Sequence, residues 1–124
     1  MNKKELRKIE DKLKLHKYNK CKLSIIDIEI EDIQDEINTF GEDENLSKEL
    51  IRLGKLKKEL SREVNRIDSA INELPPLQKQ LVELRYLDKN NWENVRLIMN
   101  MNYNYLCNVM KYDMLENISH CISI

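Results

Sequence analysis

From Leu23 to Ile37 the apolar residues Leu23, Ile26, Ile30, Ile33 and Ile37 recur at spacings of three, four, three and four. That is the a/d seam of a heptad, and it predicts a helix with one face committed to a partner helix. Ile25 and Ile28 lie beside the seam and widen its stripe. Ile26-Asp27-Ile28-Glu29-Ile30-Glu31 alternates as a strand would, but the three–four spacing outlasts the alternation and favours helix. Before the seam, Leu6 to Leu23 reads as a basic helix with Leu6, Ile9 and Leu13 on its apolar side. After it, Thr39-Phe40-Gly41-Glu42-Asp43-Glu44-Asn45 breaks the pattern, with Gly41 as the terminator. A second seam follows at Leu46, Leu50, Leu53, Leu60, Val64, Ile67, Ile71 and Leu74. Lys57 occupies the skipped position beside Leu56, and Gly54 weakens the helix nearby. Two seams joined by a short loop predict an antiparallel, coiled-coil-like hairpin. The seams differ in length, so apolar surface is left over for the N-terminal helix or a second chain to cover.

The two prolines, Pro75 and Pro76, end this pattern directly after Leu74. The residue before a proline is pushed out of the helical region, whereas proline itself suits a first helical turn. Three short helices are predicted beyond them. The first, Leu77 to Leu87, turns Leu77, Leu81 and Leu84 inward, with Val82 and Leu87 at the margins. Asp88-Lys89-Asn90-Asn91 is turn-like, and Asn91 is placed to cap a helix from Trp92 to Met99. Asn100-Met101-Asn102 then makes a tight turn, with Asn100 suited to a left-handed conformation and Asn102 to capping. The last helix runs from Tyr103 to about Ile118 and is expected to bury Leu106, Val109, Met110 and Leu115. Residues 119–124 are expected to fray or to cover the edge of the core. The expectation is therefore an all-α chain: a hairpin region over 1–74 and a small helix-turn-helix bundle over 75–124.

Composition narrows the function. Charged residues make up 35% of the chain and aromatics 6%, a mixture that suits amphipathic helices. Abundant Lys, Asn and Ile suggest an AT-rich coding sequence, so each Asn needs its own argument. No apolar run is long enough to span a membrane, and the basic N-terminus lacks the apolar stretch of a secretory signal. Three dispersed cysteines, Cys21, Cys107 and Cys121, imply reduced thiols and a cytoplasmic location. The net charge of −1 conceals blocks: residues 1–22 hold nine Lys/Arg and three Asp/Glu, while 23–45 hold nine acids and no base. An acidic first arm facing a basic second arm would favour the hairpin. His16 and His120 have no partners at metal-ligand spacing, and no nucleophile–base pair or phosphate loop occurs. Neither catalysis nor a cofactor nor a small-molecule substrate is expected.

A short helix, a three-residue turn holding one apolar residue and a longer helix form the layout of a DNA-binding helix-turn-helix. Val95, Met99, Met101, Leu106 and Val109 would form its mutual core, and Tyr86 and Trp92 its scaffold. Asn102, Tyr103, Asn104, Cys107, Asn108 and Lys111 would then face the major groove of double-stranded DNA. Asn can bond adenine bidentately, Lys can reach phosphate or guanine, and Tyr can bond phosphate or touch a thymine methyl.

Leu81-Val82-Glu83-Leu84-Arg85-Tyr86-Leu87, Asn91-Trp92-Glu93-Asn94-Val95 and Met114-Leu115-Glu116-Asn117-Ile118 together resemble region 4 of sigma factors. The pattern is most similar to small phage transcriptional regulators of the ArpU/RinA type, over about 40 residues. That resemblance implies control of late packaging or lysis genes, exerted on promoter DNA and through host RNA polymerase. Arg96 stands where that pattern has a small residue, and Asn100 where it has the turn glycine. The last helix also carries few cations. A homodimer formed through the seams is the expected assembly. The rival expectation is a phage interaction protein whose hairpin binds or inhibits a host protein, the helix-turn-helix being vestigial.

Overall fold

The computed structural model describes residues 2–122. They form five helices and, among the described residues, no strand. Helices α1 (Lys3–Phe40) and α2 (Glu44–Asn72) are the long pair, packed together. The Lys57 Nζ–Asp27 Oδ1 ion pair and the His16 Nε2–Asp68 Oδ1 contact, each 2.7 Å, both centre on residue 42 in the intervening turn. Antiparallel arms require that shared centre. The basic N-terminal stretch is no separate helix; it forms the opening turns of α1.

The turn is built as its residues dictate. Gly41 sits at φ +91, with its N–H on the Ile37 carbonyl at 2.8 Å, a helix end that costs a residue without Cβ nothing. Asp43 then caps α2, its Oδ1 accepting from the N–H groups of Asn45 (2.7 Å) and Leu46 (3.2 Å).

The chain divides into two compact units. One is the hairpin end, Tyr18–Asn65. Its seam is thin: Ile26, Leu53 and Val64 are buried, while Leu23, Ile30, Ile33, Ile37, Leu46, Leu50, Leu56 and Leu60 are half-buried. Lys57, at the skipped seam position, is exposed and paired with Asp27. Ile25 and Ile28 do not widen the stripe; both stand in solvent.

The other unit joins the chain up to Lys17 with the chain from Arg66 onward. One core holds Leu6, Ile9 and Leu13 from α1 and Ile67, Ala70, Ile71 and Leu74 from the end of α2. The same core holds Leu81, Val82 and Tyr86, Val95, and Leu106, Met110, Met114, Leu115, Ile118 and Ile122. The division expected at residue 74 is therefore a helix boundary and not a packing boundary. Proline ends a helix, but it does not stop the apolar residues on either side of it from sharing one core. The leftover surface of the seams is covered from within the chain.

Pro75 at φ −55 and ψ 150 precedes α3, which opens at Pro76 and runs as α-helix over Pro76–Val82 before a π turn at Glu83–Leu87. Helix α4 spans Trp92–Met99. The last helix opens at Tyr103–Tyr105, widens into a π turn at Leu106–Met110 and continues over Lys111–Ile122 (together α5). Each π turn inserts a residue and resets the phase of the buried face. In α3 the core takes Leu81, Val82 and Tyr86, and Leu77, expected inside, is 52% exposed. In α5 it advances from Leu106 through Met110, Met114, Ile118 and Ile122. Val109, also expected inside, is 42% exposed. Ser119 and Ile122 are buried, so this end of the chain covers the core; Ser123 and Ile124 lie outside the described residues.

Candidate nucleic-acid interface

The helix-turn-helix comprises α4, the turn Asn100-Met101-Asn102 and the start of α5. Asn91 caps α4 through its side chain, which accepts from the Asn94 N–H at 2.8 Å. Asn100 adopts φ 53 and ψ 52, a left-handed residue that ends α4 and redirects the chain. Asn102 opens α5 by accepting from the Tyr105 N–H at 3.1 Å. Met99, at the end of α4, and Met101, within the turn, both pack on the core. Local sequence thus builds the corner three times over, with Asn in each role.

The Arg-Tyr and Trp residues of the sigma-like pattern are scaffold. The Arg85 guanidinium lies 4.9 Å above the centroid of the Trp92 ring and donates to the Asn90 carbonyl at 3.0 Å. Asn90 in turn donates its side-chain amide to the Leu84 carbonyl at 3.0 Å. These bonds brace the turn from α3 to α4, where Lys89 is left-handed at φ 60 and its ammonium reaches the Lys14 carbonyl. The buried Tyr86 hydroxyl donates to Glu10 Oε2 at 2.5 Å. Burial and that carboxylate push the Tyr86 phenol well up. Burial would also raise Glu10, but the Tyr86 hydroxyl and the charges of Lys111 and Lys14 outweigh it, and its pKa falls below the ordinary 4.5.

The six residues expected to face DNA fare differently. Asn104 and Asn108 are exposed one turn apart on α5. Asn102 is exposed, but its side-chain oxygen serves the cap. Tyr103 is exposed, and the thiol of the half-buried Cys107 pushes its phenol up. Lys111 turns inward: its side chain is 21% exposed, 3.4 Å from Glu10 Oε2, with its ammonium 6.0 Å from the Trp92 centroid and 5.4 Å from that of Tyr112. The π turn accounts for the change. Rotated by the inserted residue, the open face of α5 runs through Asn104 and Asn108 with Tyr105, Val109 and Tyr112, and not through Cys107 and Lys111.

Those three flanking residues were not foreseen. Their spacing of four and three is itself a seam pattern, which reads as core until the phase of the helix is known. Leu97 and Ile98 of α4 are exposed as well. Arg96 reaches the surface, where it pairs with Glu93. The cations near this face come from a distant segment. Lys3 and Arg7 of α1 line a cleft with Lys111 and Tyr112, floored by Leu6 and Leu115. Over its sequence this unit holds thirteen Lys/Arg and ten Asp/Glu, a formal +3, whereas Tyr18–Asn65 holds eight and twelve, a formal −4. Among the described residues no three His, Cys, Asp or Glu are grouped to hold a metal ion, and no helix is long and apolar enough to cross a membrane.

No family model matches the chain, and no curated protein or solved structure matches it.

Proposed function

We propose that the protein is a sequence-specific, double-stranded-DNA-binding transcriptional regulator of the phage late-gene type, acting alongside RNA polymerase. The observation that carries this reading is the joining of the basic start of α1 to the helix-turn-helix in one compact unit. Neutralising phosphates supplies most of the affinity for DNA, and α5 alone has little charge to offer. Lys3, Lys4, Arg7 and Lys8 are exposed, and the first and third of the four border α5 or its cleft. They fill the phosphate role that Lys111, tied to Glu10, leaves open. Asn104 and Asn108 take the base-reading role, with Tyr105 and Tyr112 beside them.

The test is fluorescence anisotropy on duplexes enriched by in vitro selection and on random duplexes, across a salt series. The expected outcome is a selected sequence bound at least about 10³-fold tighter than random DNA. Lys3→Glu with Arg7→Glu should weaken binding to every duplex and lower the salt slope by about one per lost phosphate contact. Asn104→Ala and Asn108→Ala should relax discrimination and leave stability unchanged. Absence of binding at low salt, with and without RNA polymerase, would overturn the reading.

One observation favours a second reading, in which the helix-turn-helix serves a protein partner. Leu97, Ile98, Tyr105, Val109 and Tyr112 give this end of the molecule more exposed apolar and aromatic surface than phosphate contact needs. Stoichiometric co-purification with RNA polymerase that survives nuclease treatment and is lost in Val109→Glu supports that reading.

A further inference from the structure

Within the hairpin-end unit, α1 carries a second seam on the side turned away from its first. Tyr18, Cys21, Ile25, Ile28, Asp32 and Asp35 recur at spacings of three, four, three, four and three, and all six are exposed. Ile28 lies two residues from both Ile26 and Ile30 of the first seam, so it points about 160° away from each. Tyr18, Ile25 and Ile28 are between 49% and 63% exposed. The second seam changes character along its length. It is aromatic, thiol and aliphatic over residues 18–28, then acidic at Asp32 and Asp35, with Glu29, Glu31 and Glu36 beside it. Lys20 and Lys22, the bases that α1 gives this unit, both stand before the first of its acids. Among the described residues, Glu31, Asp32, Asp35 and Glu36 enter no ion pair, whereas on α2 Lys48 pairs with Glu44, Arg52 with Glu49 and Lys57 with Asp27.

We infer that this face docks a basic amphipathic helix of another protein, with apolar residues at the same three–four spacing and Lys or Arg over residues 29–36. The occupant follows from charge. An apolar stripe alone would accept any amphipathic helix, but the acids that continue and flank it repel an acidic one and favour a basic one. A second copy of the unit, formally −4, would bring like charge to the same face. Lys22, beside the apolar end, sets the opposite preference there. It favours a polar or acidic residue at that end of the bound helix, and so one direction of binding over the other. The inference is independent of DNA binding, since every residue it uses lies outside the unit that holds the helix-turn-helix.

The test titrates the full chain into fluorescein-labelled helical peptides of about three heptads, read by anisotropy. One peptide has a Leu seam flanked by Lys, and a second has Glu in place of each Lys. A third keeps the composition of the first with its Leu positions shuffled. The Lys-flanked seam peptide should bind at least about tenfold tighter than either of the others. Ile25→Gln with Ile28→Gln should weaken it at least about tenfold, as loss of central apolar anchors does. The helical circular dichroism spectrum should stay unchanged, because Gln is a good helix former and both sites are exposed. Asp32→Lys with Asp35→Lys should invert the preference between the Lys and Glu peptides. Equal binding of the ordered and shuffled Lys peptides would reduce the face to charge alone and overturn the proposal. So would no binding at about 100 μM, the range of a weak specific contact. A wild-type dimer in light scattering that Ile25→Gln with Ile28→Gln dissociates would place a second copy on this face instead and overturn it as well.

Discussion

At the scale of single residues, the molecule depends on Asn and Glu in places that composition alone would pass over. Asn91 and Asn102 each close an orphan N–H at the start of a helix. Replacing either by Ala should cost about 1 kcal/mol, read as a shift in urea midpoint. For Asn102 that loss separates a capping role from a base-reading one, since a pure DNA contact would leave stability alone. Glu10 serves Tyr86 and Lys111 at once. Its pKa is lowered on folding, so its contribution is present above the ordinary 4.5 and lost as pH falls through the lowered value. Glu10→Gln should therefore be less stable than wild type at pH 7 and show a flatter fall between pH 5 and pH 3. Urea unfolding across that range decides it, and an unchanged acid limb would show that Glu10 does not carry the dependence.

At the scale of elements, the two π turns decide which apolar residues are core. A single inserted residue turns the rest of a helix by about 100°, enough to exchange neighbouring positions between core and solvent. Met110→Ala should cost about 2–5 kcal/mol, as should Leu81→Ala. Val109→Ala and Leu77→Ala should stay within about 0.5 kcal/mol of wild type, as changes at exposed sites do. The same phase shift fixes the candidate interface, exposing Tyr105 and Tyr112 while leaving Lys111 to Glu10. The hairpin elements behave more simply. Their three–four spacing is broken once, at the exposed Lys57, and each apolar seam residue from Leu23 to Leu60 is at least half-buried.

At the scale of the whole molecule, the helix-turn-helix does not stand alone. Leu6, Ile9 and Leu13 are buried in the same core as Leu106 and Ile118, residues about a hundred positions away. A fragment of residues 75–124 should therefore lack cooperative thermal unfolding and dispersed amide resonances, while the full chain shows both. A folded fragment would restore a domain boundary at residue 74. The arrangement also gives the helix-turn-helix its charge. The segment that completes its core brings Lys3, Arg7 and their neighbours with it, leaving that unit formally positive and the hairpin end formally negative.

Local chemistry in the sequence was sufficient for the elements. Heptad spacing marked both long helices, Gly41 and the proline pair marked their ends, and three asparagines marked the corner of the helix-turn-helix. Each of these depends on residues within a turn or two of one another. Only tertiary packing decided which face of α3 and α5 turns inward, because a π turn is a response to the core it packs against. It also decided that the basic start of α1 belongs with the C-terminal helices, since no local pattern reports a contact between Glu10 and Tyr86. Asn104 and Asn108 were legible as exposed polar residues at helical spacing, whereas Lys111 was misjudged because its partner, Glu10, lies about a hundred residues earlier in the chain.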